Sequence, residues 1–472
     1  MVGWTAFGPE LYTCFVLGGV FLVFSLLPAN PRRDYVTAMA LAAVGLGISI
    51  AGLHLTGDLF ADTYHVDLFS QIFKIMLALG LLLAIYLCEH LRGIAPRRHA
   101  ETYLLLTVCT LAMMMMVSAV NLLTLYVALE LSSYSLYVLV SFRQPRTGGV
   151  RTAVRYFLIG ASASAVMLFG LALLYGSCGT LDAATLMTLL PAAMGRPEVI
   201  TGLTLTLGGI FFKLALFPFH FWAPDVYEGA ANPVAAYIAT ASKVAAIAVL
   251  IRLVALGGQN VLLARALAVI AVITMTAGNL TAIVQQDLKR MLAYSSIAQG
   301  GYVLIGILSM TPAGYASTTF YALVVLLLKF SCFFVLVKVA AGGRNVAIDD
   351  LAGLHSSSPI LALLLMMALF ALAGIPPTIG FTGKLLLFTA AVQRGYFVLV
   401  LIAMFNVVIS LYYYLRVIHA AYLRKPPRAL PALNLALRDR LLAGVLVTFT
   451  VAAGIFPAPL IALAEAAVRV LG

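Results

Sequence analysis

The sequence predicts an all-α polytopic membrane protein of about fourteen transmembrane helices, with two inverted five-helix repeats that each contain a broken helix. Three observations predict it. Of 472 residues, 63% are hydrophobic and only 10% charged, whereas a soluble domain carries about 25% charged side chains. The mean hydropathy of +1.06 comes from the whole length and not from one anchor, which excludes a soluble enzyme with a membrane tail. Two apolar runs, near 200–222 and 359–391, are interrupted by proline and glycine. Irregular backbone at membrane depth is tolerated only where protein buries it or where it lines a wet cavity.

A helix needs about 20 apolar residues to cross about 30 Å of hydrocarbon, and the runs divide on that scale. Residues 1–101 form an N-terminal three-helix segment with spans near 10–28, 36–56 and 68–88. The first run follows Glu10 without a basic leader or cleavage site, so it reads as a span and not as a cleaved signal. Residues 102–260 form the first repeat, with spans near 102–118, 121–141, 152–176, 200–222 and 232–254. Residues 261–420 form the second, with spans near 266–285, 291–310, 315–338, 359–391 and 396–418. Residues 421–472 hold a loop and a last span near 441–466. An odd number of crossings per repeat forces opposite orientations, with the break in the fourth span of each.

The net charge of +12 is not read as a nucleic-acid footprint, because basic residues beside membrane spans set orientation. Seventeen basic residues, among them Arg97, Arg98, Arg146, Lys289, Arg428 and Arg440, fall in loops on one side. Five (Arg196, Arg252, Arg265, Arg394 and Arg469) fall on the other. The richer side is the inner one, which puts both termini outside. Cys14, Cys88, Cys109, Cys178 and Cys332 form no C-x-x-C pair, so they read as apolar fillers and not as zinc or iron–sulfur ligands. The seven histidines offer no paired haem ligands, and no phosphate loop or nucleophile elbow occurs. The chain is expected to bind no cofactor and no metal. The chemistry that remains is the movement of protons or ions.

Lys74, Glu130, Arg155, Lys213, Lys243, Lys329 and Lys384 lie inside the spans. A charge at a helix centre costs about 2.5–3.5 kcal/mol on insertion scales, so each needs a partner, water or a function. Lys74 is expected to pair with Asp67 or to snorkel outward. Arg155 follows Arg151 by one turn and reaches the headgroups; it cannot release a proton, so it biases charge without carrying it. Glu130 is central in LYVALELSSYSLYVL and needs a nearby cation to stay ionised. Lys243 sits among Ala239, Thr240, Ala241, Ser242, Ala245 and Ala246, small residues that permit close packing and leave space for water. Lys213 precedes Pro218 and Pro224 with His220 between them, so this helix is expected to be discontinuous with a polar centre. In LFALAGIPPTIGFTGKLLLF the second break places Gly374, Pro376, Pro377, Gly380 and Gly383 ahead of Lys384.

The segments FKLALFPFHFWAPDVYEGA, DLKRMLAYSSIAQGGYVLIGI and ALAGIPPTIGFTGKLLLF resemble the signatures of the antiporter-like membrane subunits of respiratory complex I. That family is shared with subunits of Mrp-type cation/proton antiporters and of membrane-bound hydrogenases. The absence of a long lateral helix after the last span, together with Lys384 in the second broken helix, is similar to the subunit N group. The resemblance implies a proton-translocating membrane-arm subunit of an NADH:quinone oxidoreductase in a bacterial inner membrane, or alternatively an Mrp-type antiporter or hydrogenase subunit. This chain would hold no redox site. NADH, flavin, iron–sulfur clusters and quinone would belong to partner subunits, and the other partners would be membrane-arm subunits and the lipid bilayer. Position by position, the resemblance implies that Glu130 and Lys213 form an intramembrane ion pair. It makes Lys243 the central proton site and Lys384 the terminal one, with His220 connecting Lys213 to Lys243. Arg155 stands where the family often has lysine, which leaves it a charge-modulating role. Lys329 resembles a lysine of sister subunits, whose histidine four residues earlier is Val325 here, and it would bridge the two repeats.

Overall fold

The computed structural model describes residues 2–144, 148–425, 433 and 435–471; Arg146 and Arg428, counted above among the inner-side basic residues, lie outside the described residues. The N-terminal segment is α1 (Gly8–Leu26), α2 (Pro31–Ala51) and α3 (Leu68–Leu87). The first half continues as α4 (His99–Ser118), α5 (Leu122–Ser141), α6 (Gly149–Cys178), α7 (Pro197–Leu214), α8 (Trp222–Gly229), α9 (Asn232–Ala239) and α10 (Ala241–Leu256). The second half is α11 (Val261–Ile283), α12 (Leu288–Ile307), α13 (Pro312–Val339), α14 (Pro359–Ala373), α15 (Ile379–Gln393) and α16 (Phe397–Tyr422). The chain ends in α17 (Leu437–Ile455) and α18 (Ala458–Val468). Short polar side chains start many of these helices: Asn30, Asp67, Asn121, Asn260 and Asp287 each accept a hydrogen bond from a first-turn amide that would otherwise lack a partner.

By length and apolarity, eleven helices among the described residues are able to cross a membrane, or twelve if the bent pair α17–α18 is one span. The expected fourteen is therefore not reached as a count. The two other expected spans coincide with α12 and with the broken pair α14–α15. Gly374, at φ +90°, splits that pair. Each 15-residue piece is about 22 Å long, too short to cross alone. The first expected break also occurs, where α7 ends at Leu214 and Ala215 turns left-handed at φ 56°. Two further breaks were not legible in the sequence. Thr240, whose hydroxyl donates to the Ala236 carbonyl at 2.7 Å, separates α9 from α10. The expected single span 441–466 instead bends by 76° beside Pro457, which has no N–H to offer the helix. The all-α expectation has one exception, an antiparallel hairpin of Gly57–Leu59 with Tyr64–Val66, too short to show an alternating pattern.

Helices α9 and α10 are buried except at Arg252 and Ala255 near the end of α10. The long α13 packs on α12, α14 and α15 of the second half and on α9 and α10 of the first, so it joins the two halves. At α3 a Cβ on Gly80 would stand 2.9 Å from that of Ala241, so the N-terminal segment closes tightly on α10. Helices α2, α11 and α16 turn Val44, Val269, Phe405 and Val408 outward, as a lipid-facing surface requires.

Charged contacts gather the ends of α3, α13 and α17 on one face: Lys338 meets Asp439 at 2.8 Å, Tyr86 donates to Asp439 at 2.7 Å, and Arg438 meets Glu89. This face carries Arg92, Arg97 and Arg98, so the charge asymmetry predicts that it is cytoplasmic. Single cysteines at positions 92–99 and 424–440 are expected to resist a membrane-impermeant maleimide in intact cells; ready labelling would overturn that orientation.

Two charge assignments are corrected. Lys74 pairs neither with Asp67 nor with headgroups, because Glu10 reaches it at 2.6 Å. Asp67 is instead held at 2.9 and 2.8 Å by Arg252 of α10, counted above only as an outer-side basic residue. Burial alone would raise the Asp67 carboxyl, but the Arg252 charge and the Ser70 amide outweigh it and hold it below the usual carboxylate value of 3.8. A depressed carboxyl stabilises the fold above its unfolded value, and that contribution is lost as pH falls through the folded one. In detergent the melting temperature is expected to drop between pH 5 and acid, and Asp67→Asn is expected to lower it at pH 7 while flattening this acid dependence. Equal acid dependence in both proteins would refute the assignment.

Candidate functional site

Lys213, Lys243, Lys329 and Lys384 are all buried, each at most 3% exposed. Lys213 is the penultimate residue of α7. Its Nζ donates to Ser132 Oγ at 2.6 Å and to Ser133 Oγ at 3.2 Å, both on α5. Glu130, one turn away on α5, accepts from Ser164 of α6. Among the described residues Glu130 and Lys213 form no ion pair within 4.0 Å, contrary to the expected contact. The carboxylate is turned toward α6, and the serine hydroxyls occupy the lysine.

The break after α7 determines what Lys213 stands beside. The left-handed turn at Ala215 frees the Leu214 carbonyl from its helix, and Lys243 Nζ donates to it at 2.9 Å and to the Ser296 carbonyl at 3.0 Å. A helix end carries partial negative charge, which favours a cation there. Lys243 follows directly on the kink at Thr240 that aims it at this end. His220 does not connect the two lysines. It is half-buried, its ring centre lies 4.1 Å from that of the exposed Phe221, and its buried Nδ1 has no hydrogen-bond partner among the described residues.

Lys329 of α13 donates to the Leu292 carbonyl at 3.1 Å and to Ser295 Oγ at 2.7 Å. Because Ser295 and Ser296 are neighbours on α12, Lys243 and Lys329 attach to the same helical turn from opposite halves. From there the hydrogen bonds continue. Ser295 Oγ meets the Tyr414 hydroxyl at 2.5 Å, and the Gln299 amide reaches Tyr414 at 3.5 Å and the Leu372 carbonyl at 3.2 Å. Lys384 Nζ donates to that same carbonyl at 2.8 Å and to Ala373 O at 3.1 Å, over the Tyr302 ring at 4.5 Å. Both lysines, Lys243 and Lys384, thus cap the carbonyl end of an interrupted helix.

Arg155 belongs elsewhere. It is 61% exposed and lies 3.6 Å from Asp225, at the rim of a cavity of about 470 Å³ also lined by Arg143, Arg151, Glu228 and Arg344. Arg290 closes this rim with Asp225 at 3.0 Å and Glu228 at 2.7 Å. Beside it Lys289, expected in an inner loop, is fully buried and donates to the Ala230 carbonyl at 2.9 Å, because Asp287 starts α12 before it. Ser295, Ser296, Gln299 and Tyr414 were not singled out from the sequence. The first three lie within the DLKRMLAYSSIAQGG signature, which was the only available signal.

The family described as "NADH:quinone oxidoreductase/Mrp antiporter, TM" matches residues 119–410. A relative from Syntrophobacter fumaroxidans, named NADH-quinone oxidoreductase subunit N 2, is 55% identical over 100% of both chains. One of the same name from Opitutus terrae is 40% identical over 89% of both. A chain of respiratory complex I from Thermus thermophilus with bound aureothin superposes with a TM-score of 0.84 at 32% identity, over 97% of this chain and 99% of that one. A chain of the Mrp complex from Dietzia sp. has a TM-score of 0.87 at 22% identity, over 98% of this chain and 97% of that one, which is a likeness of fold alone.

Proposed function

The chain belongs to the NADH:quinone oxidoreductase/Mrp antiporter transmembrane family, and on that premise we propose that it is a membrane-arm subunit of a complex I-type NADH:quinone oxidoreductase that carries protons across a bacterial inner membrane. The carrying observation is the hydrogen-bonded row from the Lys243–Lys329 turn to Lys384. Each lysine holds a proton as ammonium and releases it as amine. Ser295 accepts from Lys329, Tyr414 accepts from Gln299, and one proton joins the two hydroxyls, each of which is able to donate or accept, as a relay requires. Gln299 gives up no proton at neutral pH, so it orients Tyr414 and the helix end while water makes the last transfer to Lys384. Arg155 and the inner-face cluster bias the charge near the first half without titrating.

Glu130 and Lys213 act as the switch. In the open arrangement seen here, the unshielded Lys213 ammonium repels a proton on Lys243, which lies against the next residue's carbonyl. When Glu130 turns from Ser164 to Lys213, that repulsion is neutralised and Lys243 retains its proton. No redox step occurs in this chain; NADH, flavin, iron–sulfur clusters and quinone belong to partner subunits. The subunit N relatives support this assembly over an Mrp-type one, since the Mrp likeness is of fold alone. Gentle purification of the tagged chain from its own membrane is expected to recover flavin- and iron–sulfur-bearing subunits. Recovery of membrane subunits alone would favour the antiporter reading.

A further inference from the structure

A second group of buried charges lies away from the lysine row, where the N-terminal segment meets α10. Glu10 and Lys74 approach to 2.6 Å with both side chains fully buried. Tyr64 donates to Glu10 Oε1 at 2.5 Å, and its ring centre is 5.4 Å from Lys74 Nζ. Asp67 and Arg252 stand beside them as the second pair. Two acids against two cations balance the charge, but the hydrogen bonds are incomplete. Glu10 Oε2, Gln71 Oε1, Ser118 Oγ and Arg252 Nε are buried with no hydrogen-bond partner among the described residues, and Lys74 Nζ has only its ion pair. A buried polar group left unpaired is destabilising, so each calls for a partner. Their convergence from α1, α3, α4 and α10 suits a small molecule that both donates and accepts, which is water.

A carboxylate, an ammonium and water in contact allow a proton to sit on Glu10 or on Lys74 with no change in net charge. Glu10 Oε2, held by neither Lys74 nor Tyr64, is the oxygen from which a proton passes to water. Lys74 is two turns into α3, about 9 Å from the helix start, so the site lies nearer the face where the chain begins, beneath Tyr64 of the hairpin. Arg252 shares α10 with Lys243, which ties the site to the lysine row. We propose that Glu10 and Lys74 form a hydrated proton-release site on the side of that face; this rests on the proton-carrying reading above. All but Arg252 of its residues precede the family match at 119–410.

The test compares protons moved per NADH oxidised in vesicles bearing the assembled complex, with assembly read on native gels. Glu10→Gln, Tyr64→Phe and Lys74→Arg are each expected to assemble and to lower the ratio about twofold or more. Lys74→Arg is decisive, because arginine keeps the ion pair and loses the exchangeable proton; a wild-type ratio in that variant overturns the site. Should Glu10→Gln fail to assemble, Lys74→Arg and Tyr64→Phe are read the same way. Lys243→Ala is the control. If it pumps normally, the proton-carrying reading itself fails; if it is silent while Lys74→Arg is normal, only the release site fails.

Discussion

Lys243→Arg will pump protons no better than Lys243→Ala. The Lys243 ammonium caps the end of α7 and touches α12, so a purely structural role would be met by any cation that reaches the Leu214 and Ser296 carbonyls. Arginine reaches carbonyls well but holds its proton at every physiological pH, so it preserves the charge and abolishes the exchange. A positioned proton donor and acceptor contributes on the order of 10²-fold or more to a transfer step, and a loss of that size is expected in both variants. NADH-driven acidification of inverted vesicles measures it, with native gels to establish that the complex assembles. Lysine-like pumping in the arginine variant would make Lys243 a structural cap.

Lys384→Arg is expected to lose pumping to a similar degree, for a reason specific to the second break. Gly374 at φ +90° lets the chain turn so tightly that a Cβ there would stand 3.0 Å from Lys384 Cδ. The lysine is thereby threaded between the Leu372 and Ala373 carbonyls and the Tyr302 ring. An open groove on the lipid-facing side, lined by Phe381, Phe388, Met404 and Phe405, adjoins it. The same vesicle assay applies, and wild-type rates in Lys384→Arg would remove this lysine from the path.

The lysine positions were legible because charge inside an apolar run is rare, and the two main breaks because Pro218 and the Gly374–Pro377 stretch interrupt otherwise continuous helices. What the sequence could not convey was pairing across distance. Glu10 and Lys74 belong to different helices and neither names the other. The sequence also hid depth. Lys289 read as a loop residue because hydropathy places helix ends only to within a turn, yet Asp287 begins α12 before it. The resemblance implied that His220 links Lys213 to Lys243, but the turn at Ala215 brings the Leu214 carbonyl to Lys243 directly, and no hydrogen bond joins the histidine to either lysine among the described residues. Ser295 carried only its place in the DLKRMLAYSSIAQGG segment and Tyr414 no signal at all, since serine and tyrosine are ordinary helix-packing residues until a lysine is found against them.

The joint between the halves is Lys329, bound to Ser295 on the turn whose next carbonyl holds Lys243. Proton uptake per NADH oxidised by Lys329→Arg in vesicles, normalised to assembled complex, tests the row at its centre. The row predicts that the ratio falls sharply while assembly stays intact, because arginine keeps the charge at the joint and cannot pass the proton on. A wild-type ratio in that variant would mean that protons do not pass between the halves through Lys329.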